Sequence, residues 1–281
     1  MTLIDVWNVE TFDRELTALL SAEADMIRAY MDRDLEIFRT FEIATGPDRA
    51  LFRPENIHAR AFVALEERVM QLMAGRTIRA WHYTRLTDAE CEALRASGVI
   101  LSTIDTLKVR LAARVQAGEM SQATADAALA ASPLHHDQRR SRSHKFWMVS
   151  HPVDIQDSGV EPLMAHWGGE VAHFWLKDPG QLTALASVGR RSVVEIAVPL
   201  AATEHAYSAA EAVVAAYGRS LGCIPDSGAF DLFALEPLPG SAILAIHHEG
   251  DPNFEAMARG YPDHYVNVEI GRWEVLTGEM D

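Results

Sequence analysis

Apolar residues recur at helical spacing from Phe12 to Phe41, at Phe12, Leu16, Leu19, Leu20, Ile27, Tyr30, Met31, Leu35 and Phe38, with charged residues between them. The turn-forming Gly46-Pro47-Asp48 interrupts that pattern. A second amphipathic stretch follows Pro54, through Ile57, Phe62, Leu65, Val69, Leu72 and Met73, and Gly75 is placed to stop it. The character changes at Arg76. Residues 77–84 alternate and predict a strand with Ile78, Ala80, His82 and Thr84 on one face. Thr87-Asp88-Ala89-Glu90 has the form of a capping box and predicts a short helix to Ala96, stopped at Gly98. Residues 105–131 are alanine-rich and predict two helices broken near Gly118.

Further strands are expected at 146–150, 171–176 and 192–198, then a helix at 209–217. Strands at 230–235, 242–247, 265–270 and 273–276 complete the pattern. Strands with few intervening helices point to an α+β fold. The expected organisation is a helical N-terminal region over 1–75, then a mixed, mainly antiparallel β core over 76–281 with a helical insertion at about 105–131.

Composition narrows the class. Hydrophobic residues make up 48% and charged residues 23% of the 281, which are values of a globular chain. No apolar run is long enough to span a membrane, and the start lacks the order of a secretory signal. Two cysteines, Cys91 and Cys223, are too few for a disulfide framework or a cysteine zinc site. A reducing, cytoplasmic setting fits them. The formal net charge of −15 disfavours extended nucleic-acid binding, because like charges repel. The one basic stretch, 135–145, holds Arg139, Arg140, Arg142 and Lys145. It reads as a solvated loop or as a phosphate-contacting segment.

Three segments carry candidate chemistry. His82-Tyr83-Thr84 ends a strand and precedes a capped helix and a glycine, so an imidazole and a hydroxyl are held in fixed geometry. Trp167-Gly168-Gly169-Glu170-Val171-Ala172-His173-Phe174-Trp175 joins paired glycines, which allow close backbone approach, to flat rings. Phe230-Asp231-Leu232-Phe233 and Glu236-Pro237-Leu238-Pro239 place carboxylates at a strand and a proline turn ahead of an apolar alternating strand. Each also has a purely structural reading, as a strand-end histidine, core aromatics with a bulge, and an edge charge with a turn residue. His247-His248-Glu249-Gly250-Asp251 mixes imidazole and carboxylate, the ingredients of a metal site. Adjacent strand residues face opposite ways, however, so its two histidines do not readily share an ion. Cys91 is expected mid-helix, away from a reactive helix start.

In their order, the first three segments resemble the ADP-ribosyltransferase superfamily, namely toxin-type DNA ADP-ribosyltransferases and poly(ADP-ribose) polymerase-like enzymes. The likeness is confined to scattered segments between 77 and 250. It departs from the family where His173 stands for a tyrosine, Val171 for a glycine and Asp231 for a glutamate. The resemblance implies an ADP-ribosyltransferase-like core and NAD as substrate. It implies His82, Asp231 and Glu236 as catalytic candidates, and Tyr83, Thr84, Arg142, Gly168, Gly169, His173 and Trp175 as NAD contacts. Asp231 is preferred to Glu236, whose following proline biases it towards a turn. The acceptor is a macromolecule, or water in an NAD glycohydrolase; bacterial toxin or defence roles follow from the resemblance alone. Two other readings stand beside it: a non-catalytic interaction protein using the amphipathic helices, and a metal-dependent hydrolase around His247 and Asp251.

Overall fold

The computed structural model describes residues 3–44, 50–135, 139–225 and 228–259. In chain order the elements begin with β1 (Leu3–Ile4), α1 (Arg14–Ala22), α2 (Ala24–Ile37), α3 (Ala59–Met73), β2 (Thr77–Leu86) and α4 (Asp88–Ser97). Then come α5 (Ile104–Gln116), α6 (Gln122–Ala130), α7 (Arg139–Arg142), β3 (Phe146–Val149), α8 (Glu161–Ala165), α9 (Glu170–His173) and α10 (Pro179–Ser187). The described chain continues with β4 (Arg190–Pro199), α11 (Ala206–Ser220), β5 (Asp231–Ala234), β6 (Ile243–His248) and α12 (Pro252–Glu255). The chain is α+β, with helices ahead of a mainly antiparallel sheet.

The chain divides into two compact units, and neither is a single stretch of sequence. Among the described residues, one unit is drawn from 3–78 and 199–230, and the other from 79–198 and 231–259. The first division follows Ile78. The expectation did not anticipate that α11 belongs with the front helices, because strand-helix order alone does not show which core a returning helix joins.

In the first unit, α11 packs on α3 and α2. Leu16, Leu20, Ile27, Leu65, Val69 and Met73 from the front helices are buried, as are Ala209, Ala212 and Val213 of α11. Removing one such side chain typically costs about 2–5 kcal/mol. Gly218 lets α11 approach α2, since a Cβ there would overlap Met31. β1 runs parallel to the first residues of β2, pairing Leu3 with Thr77 and Ile4 with Ile78. Arg76 ties this region to the start of α1 through ion pairs to Asp13 (3.0 Å) and Glu15 (2.6 Å).

The second unit is built on the strand order β5-β3-β2-β4-β6. β3 pairs antiparallel with β2 and β5, and β6 pairs antiparallel with β4. Trp81 and Tyr83 of β2 share a buried cluster with Val193, Met164 and Phe254, which fixes one face of the sheet. His82 therefore belongs to the other face, as the alternation predicts. The capping box forms: Thr87 accepts from the Glu90 N–H and Glu90 reaches back to the Thr87 N–H. Gly98 then ends α4 with φ +82°, where a Cβ would strike the Leu238 carbonyl.

Two expectations need correction or a boundary. The strand expected at 171–176 is replaced by the short helix α9. Gly168 and Gly169, at φ +84° and +57°, turn the chain into a helix instead of an extended run. Cys91 lies within α4, where its N–H bonds the Thr87 carbonyl at 3.0 Å and burial raises its thiol. The strands expected at 265–270 and 273–276, with the Gly46-Pro47-Asp48 turn, lie outside the described residues. No helix among the described residues is long and apolar enough to cross a membrane.

Candidate functional site

His82 departs from the pattern of a strand side chain that merely fills space. Its Nδ1 lies 2.8 Å from the Trp147 carbonyl oxygen on the neighbouring strand, and its ring packs 4.3 Å from Phe146. Burial pushes the imidazole down to about 4; the Trp147 carbonyl works against that shift, and the nearby Arg110 charge adds to it. At neutral pH the ring is therefore uncharged. A carbonyl only accepts, so Nδ1 carries the proton and Nε2 is left as an acceptor.

A circuit of contacts starts from His82. Trp147, whose carbonyl receives it, donates its indole N–H to the Ser141 carbonyl at 2.9 Å. The next residue, Arg142, pairs with Glu170 through Nε (3.0 Å) and Nη2 (2.8 Å) and lies over the Phe174 ring. Glu170 opens α9 directly after the Gly168–Gly169 turn and Trp167. The Trp167 ring carries Arg110 at 4.7 Å, and Arg110 is the charge felt by His82. These contacts link His82 step by step to Arg142 and to the Gly168–Gly169 turn, and the register that puts Asp231 on the Trp81 face puts the Trp147 ring, two residues from Val149, on that face as well.

Glu90 holds one side of this circuit. It receives two Arg110 bonds at 3.0 and 2.8 Å and the Trp167 indole N–H at 2.8 Å, besides its capping bond. Burial alone would raise its carboxyl, but Arg110 and these donors hold it below the usual carboxylate range. Arg114 bridges Thr87 and Glu119 behind it. Neither Glu90 nor Arg110 was among the sequence candidates. Only the capping role of Glu90 was readable, because its partners lie on α5 and on the turn at 167.

His173 repeats the His82 arrangement at the far side of the glycines. Its Nδ1 lies 2.7 Å from the Gly169 carbonyl, so Nε2 is again an acceptor. The His166 ring lies 4.8 Å from it. Burial lowers both imidazoles; for His166 the neighbouring His173 and Arg85 charges act in the same direction. Arg85 braces this loop by donating to the Met164, Val188 and Gly189 carbonyls. A Cβ placed on Gly169 would meet nothing within 4 Å, so the turn is open on that side. Trp175 and Phe174, 45% and 44% exposed, meet edge to face at 5.0 Å.

Other candidates lie elsewhere. Tyr83 points to the opposite face from His82, where its hydroxyl donates to the Val153 carbonyl and accepts from the Val153 N–H. Thr84 is on the His82 side but buried. The register separates Asp231 from His82: Trp81 pairs with Val149 and Val149 with Asp231, which puts Asp231 on the Trp81 face. At this row Asp231 and His82 therefore lie on opposite faces of the sheet. Glu236 is exposed in the turn before Pro237.

The histidine pair at 247–248 is divided, as strand alternation requires. His247 pairs with Glu195 at 2.8 Å, and Arg79 holds the other oxygen of that carboxylate at 3.1 Å. His248 instead meets Ser192 at 2.9 Å and lies 4.0 Å from the Cys91 sulfur. Asp251 caps the turn by accepting from the His248 N–H. Among the described residues no three His, Cys, Asp or Glu side chains gather to hold a metal ion.

No protein-family model, curated protein or solved structure matches the chain.

Proposed function

We propose that this site takes NAD and that the chain is an ADP-ribosyltransferase or an NAD glycohydrolase. The observation that carries the reading is the pair of neutral imidazoles, His82 and His173, each with Nδ1 tied to a main-chain carbonyl. Each ring keeps Nε2 as an acceptor, and Arg142 and the half-exposed Phe174 and Trp175 rings lie close in sequence or contact to His173. A ligand suited to those groups brings hydroxyl or amide donors, an anionic group and flat rings. NAD combines all three.

In this reading the nicotinamide ribose lies against His82, the diphosphate against Arg142, and a ring against His173 or Trp175. The open side of Gly169 admits the ligand close to the backbone. The likeness to ADP-ribosyltransferases supplies the reaction: loss of nicotinamide from the ribose, with capture by a macromolecular acceptor or by water. The test is thermal unfolding with NAD. Saturation at a hundred times its dissociation constant adds about 2.7 kcal/mol to the native state. His82→Ala should abolish the gain, and a gain that survives in His82→Ala places NAD elsewhere.

A second reading, a non-catalytic interaction protein, draws on Leu51 and Phe52, which are 91% and 84% exposed. The amphipathic helices themselves bury much of their apolar faces within their own unit, so this pair and Ile57 would form the partner surface. Absence of any NAD response, with binding of a partner lost in Phe52→Ser, favours that reading.

A further inference from the structure

His166 and His173 stand on either side of the Gly168–Gly169 turn, at the end of α8 and the end of α9. Positive φ at both glycines folds the chain back on itself. The turn is tight at Gly168, where a Cβ would lie 2.5 Å from that of Ala172. The two imidazoles meet as a result, with ring centres 4.8 Å apart and planes at 32°.

Each ring has a nitrogen left over for a ligand. His173 holds its proton on Nδ1, which donates to the Gly169 carbonyl at 2.7 Å, so Nε2 carries a lone pair. His166 Nδ1 is buried and bonds nothing among the described residues. Buried polar atoms are ordinarily satisfied, and one without a protein partner calls for a water or an ion. Burial lowers both imidazoles, so at neutral pH neither has a proton to lose before a lone pair binds a cation. The positive charge felt by His166 is Arg85, whose donors go to the Met164, Val188 and Gly189 carbonyls. His173 feels the opposite charge, from Glu170.

We propose that His166 and His173 bind one divalent transition ion of the zinc class, through Nδ1 of His166 and Nε2 of His173. Two imidazoles bound to one ion at about 2.0–2.1 Å, at a right or tetrahedral angle, have ring centres roughly 4.5–5.2 Å apart. The 4.8 Å separation lies within that range. A histidine ligand ordinarily donates its other ring N–H to a carbonyl or carboxylate, and the Gly169 carbonyl fills that place for His173. Imidazole nitrogen suits zinc, copper and nickel, whereas magnesium and calcium take oxygen donors. Glu170 supplies countercharge and not a third ligand, since among the described residues no three such side chains gather around one point. Water completes the coordination. The ion joins the end of α8 to α9 and holds the glycine turn between them. The proposal does not rest on the NAD reading, which keeps Trp175 as the face for a ring.

The experiment titrates the full-length protein with zinc chloride by calorimetry, with magnesium chloride as control. It is repeated on His166→Gln, His173→Gln and His173→Cys, each checked for folding by circular dichroism. Wild type should bind zinc and ignore magnesium. Each glutamine variant should bind zinc more weakly by about tenfold or more, because loss of a ligand's supporting partner alone costs roughly 10- to 100-fold. His173→Cys keeps a metal ligand and should retain binding. With cobalt(II) in place of zinc it should gain a thiolate charge-transfer absorption that wild type lacks, as a coordinating thiol loses its proton. Wild type that does not bind zinc overturns the proposal, as does binding unchanged in both glutamine variants. Weakened binding in those variants without the cobalt absorption in His173→Cys also overturns it, since position 173 then does not touch the ion.

Discussion

His82 and Asp231 occupy opposite faces of the sheet, because Trp81, Val149 and Asp231 share one cross-strand row and His82 is the neighbour of Trp81. Side chains alternate along a strand, so one residue of offset reverses the face. A carboxylate on the Trp81 side does not reach a ribose held by His82 without the strand being rebuilt. Asp231→Asn, and Glu236→Gln with it, should therefore leave nicotinamide release within about threefold of wild type, a change under 1 kcal/mol in barrier. A hundredfold loss in well-folded Asp231→Asn would return the catalytic role to that residue.

The sequence carried the fold further than the site. Alternation at 77–84 placed His82 and Thr84 on one face, and the capping box started α4 where it begins. Both signals are local, set by one strand or one helix turn. The face of Asp231 depends on pairing between β2, β3 and β5, which no spacing within a single strand reveals. The run from Val171 to Leu176 read as a strand because it is apolar and aromatic, and the two glycines before it decided otherwise by turning the chain. Arg110 and Glu90 were illegible as a pair for the same reason: they meet across 20 residues.

Acid should weaken the second unit through its neutral histidines. Burial pushes His151 down to about 4, as it does His82, from an ordinary value of 6.5. The unfolded chain therefore takes up protons first as pH falls. The stability these residues contribute is fully present above about pH 6.5 and is lost progressively towards pH 4. The urea midpoint should drop between pH 7.5 and 5, and His151→Gln should flatten that slope. An unchanged slope in the variant would assign the acid sensitivity elsewhere.

The helical unit should respond in the opposite sense through Glu66. This α3 carboxylate is 6% exposed, with the Tyr207 hydroxyl at 3.5 Å. Burial first, then the Glu211 charge, raises it from 4.5 to about 7. Its contribution to stability is present below pH 4.5 and is lost as pH rises through 7. Glu66→Gln removes that loss and keeps an acceptor for Tyr207. It should stabilise the protein by about 1–2 kcal/mol at pH 8 and change little at pH 4.5. Equal effects at both values would contradict the assignment.

A crystal structure with NAD tests the proposed binding beside His82, Arg142 and the Gly168–Gly169 turn. Soaking at about 5 mM exceeds the upper end of ordinary substrate affinities, near 1 mM. The expected result is a ribose hydroxyl or the carboxamide within hydrogen-bond distance of His82 Nε2 and the diphosphate on Arg142. NAD bound away from His82, or a site left empty at that concentration, would contradict it.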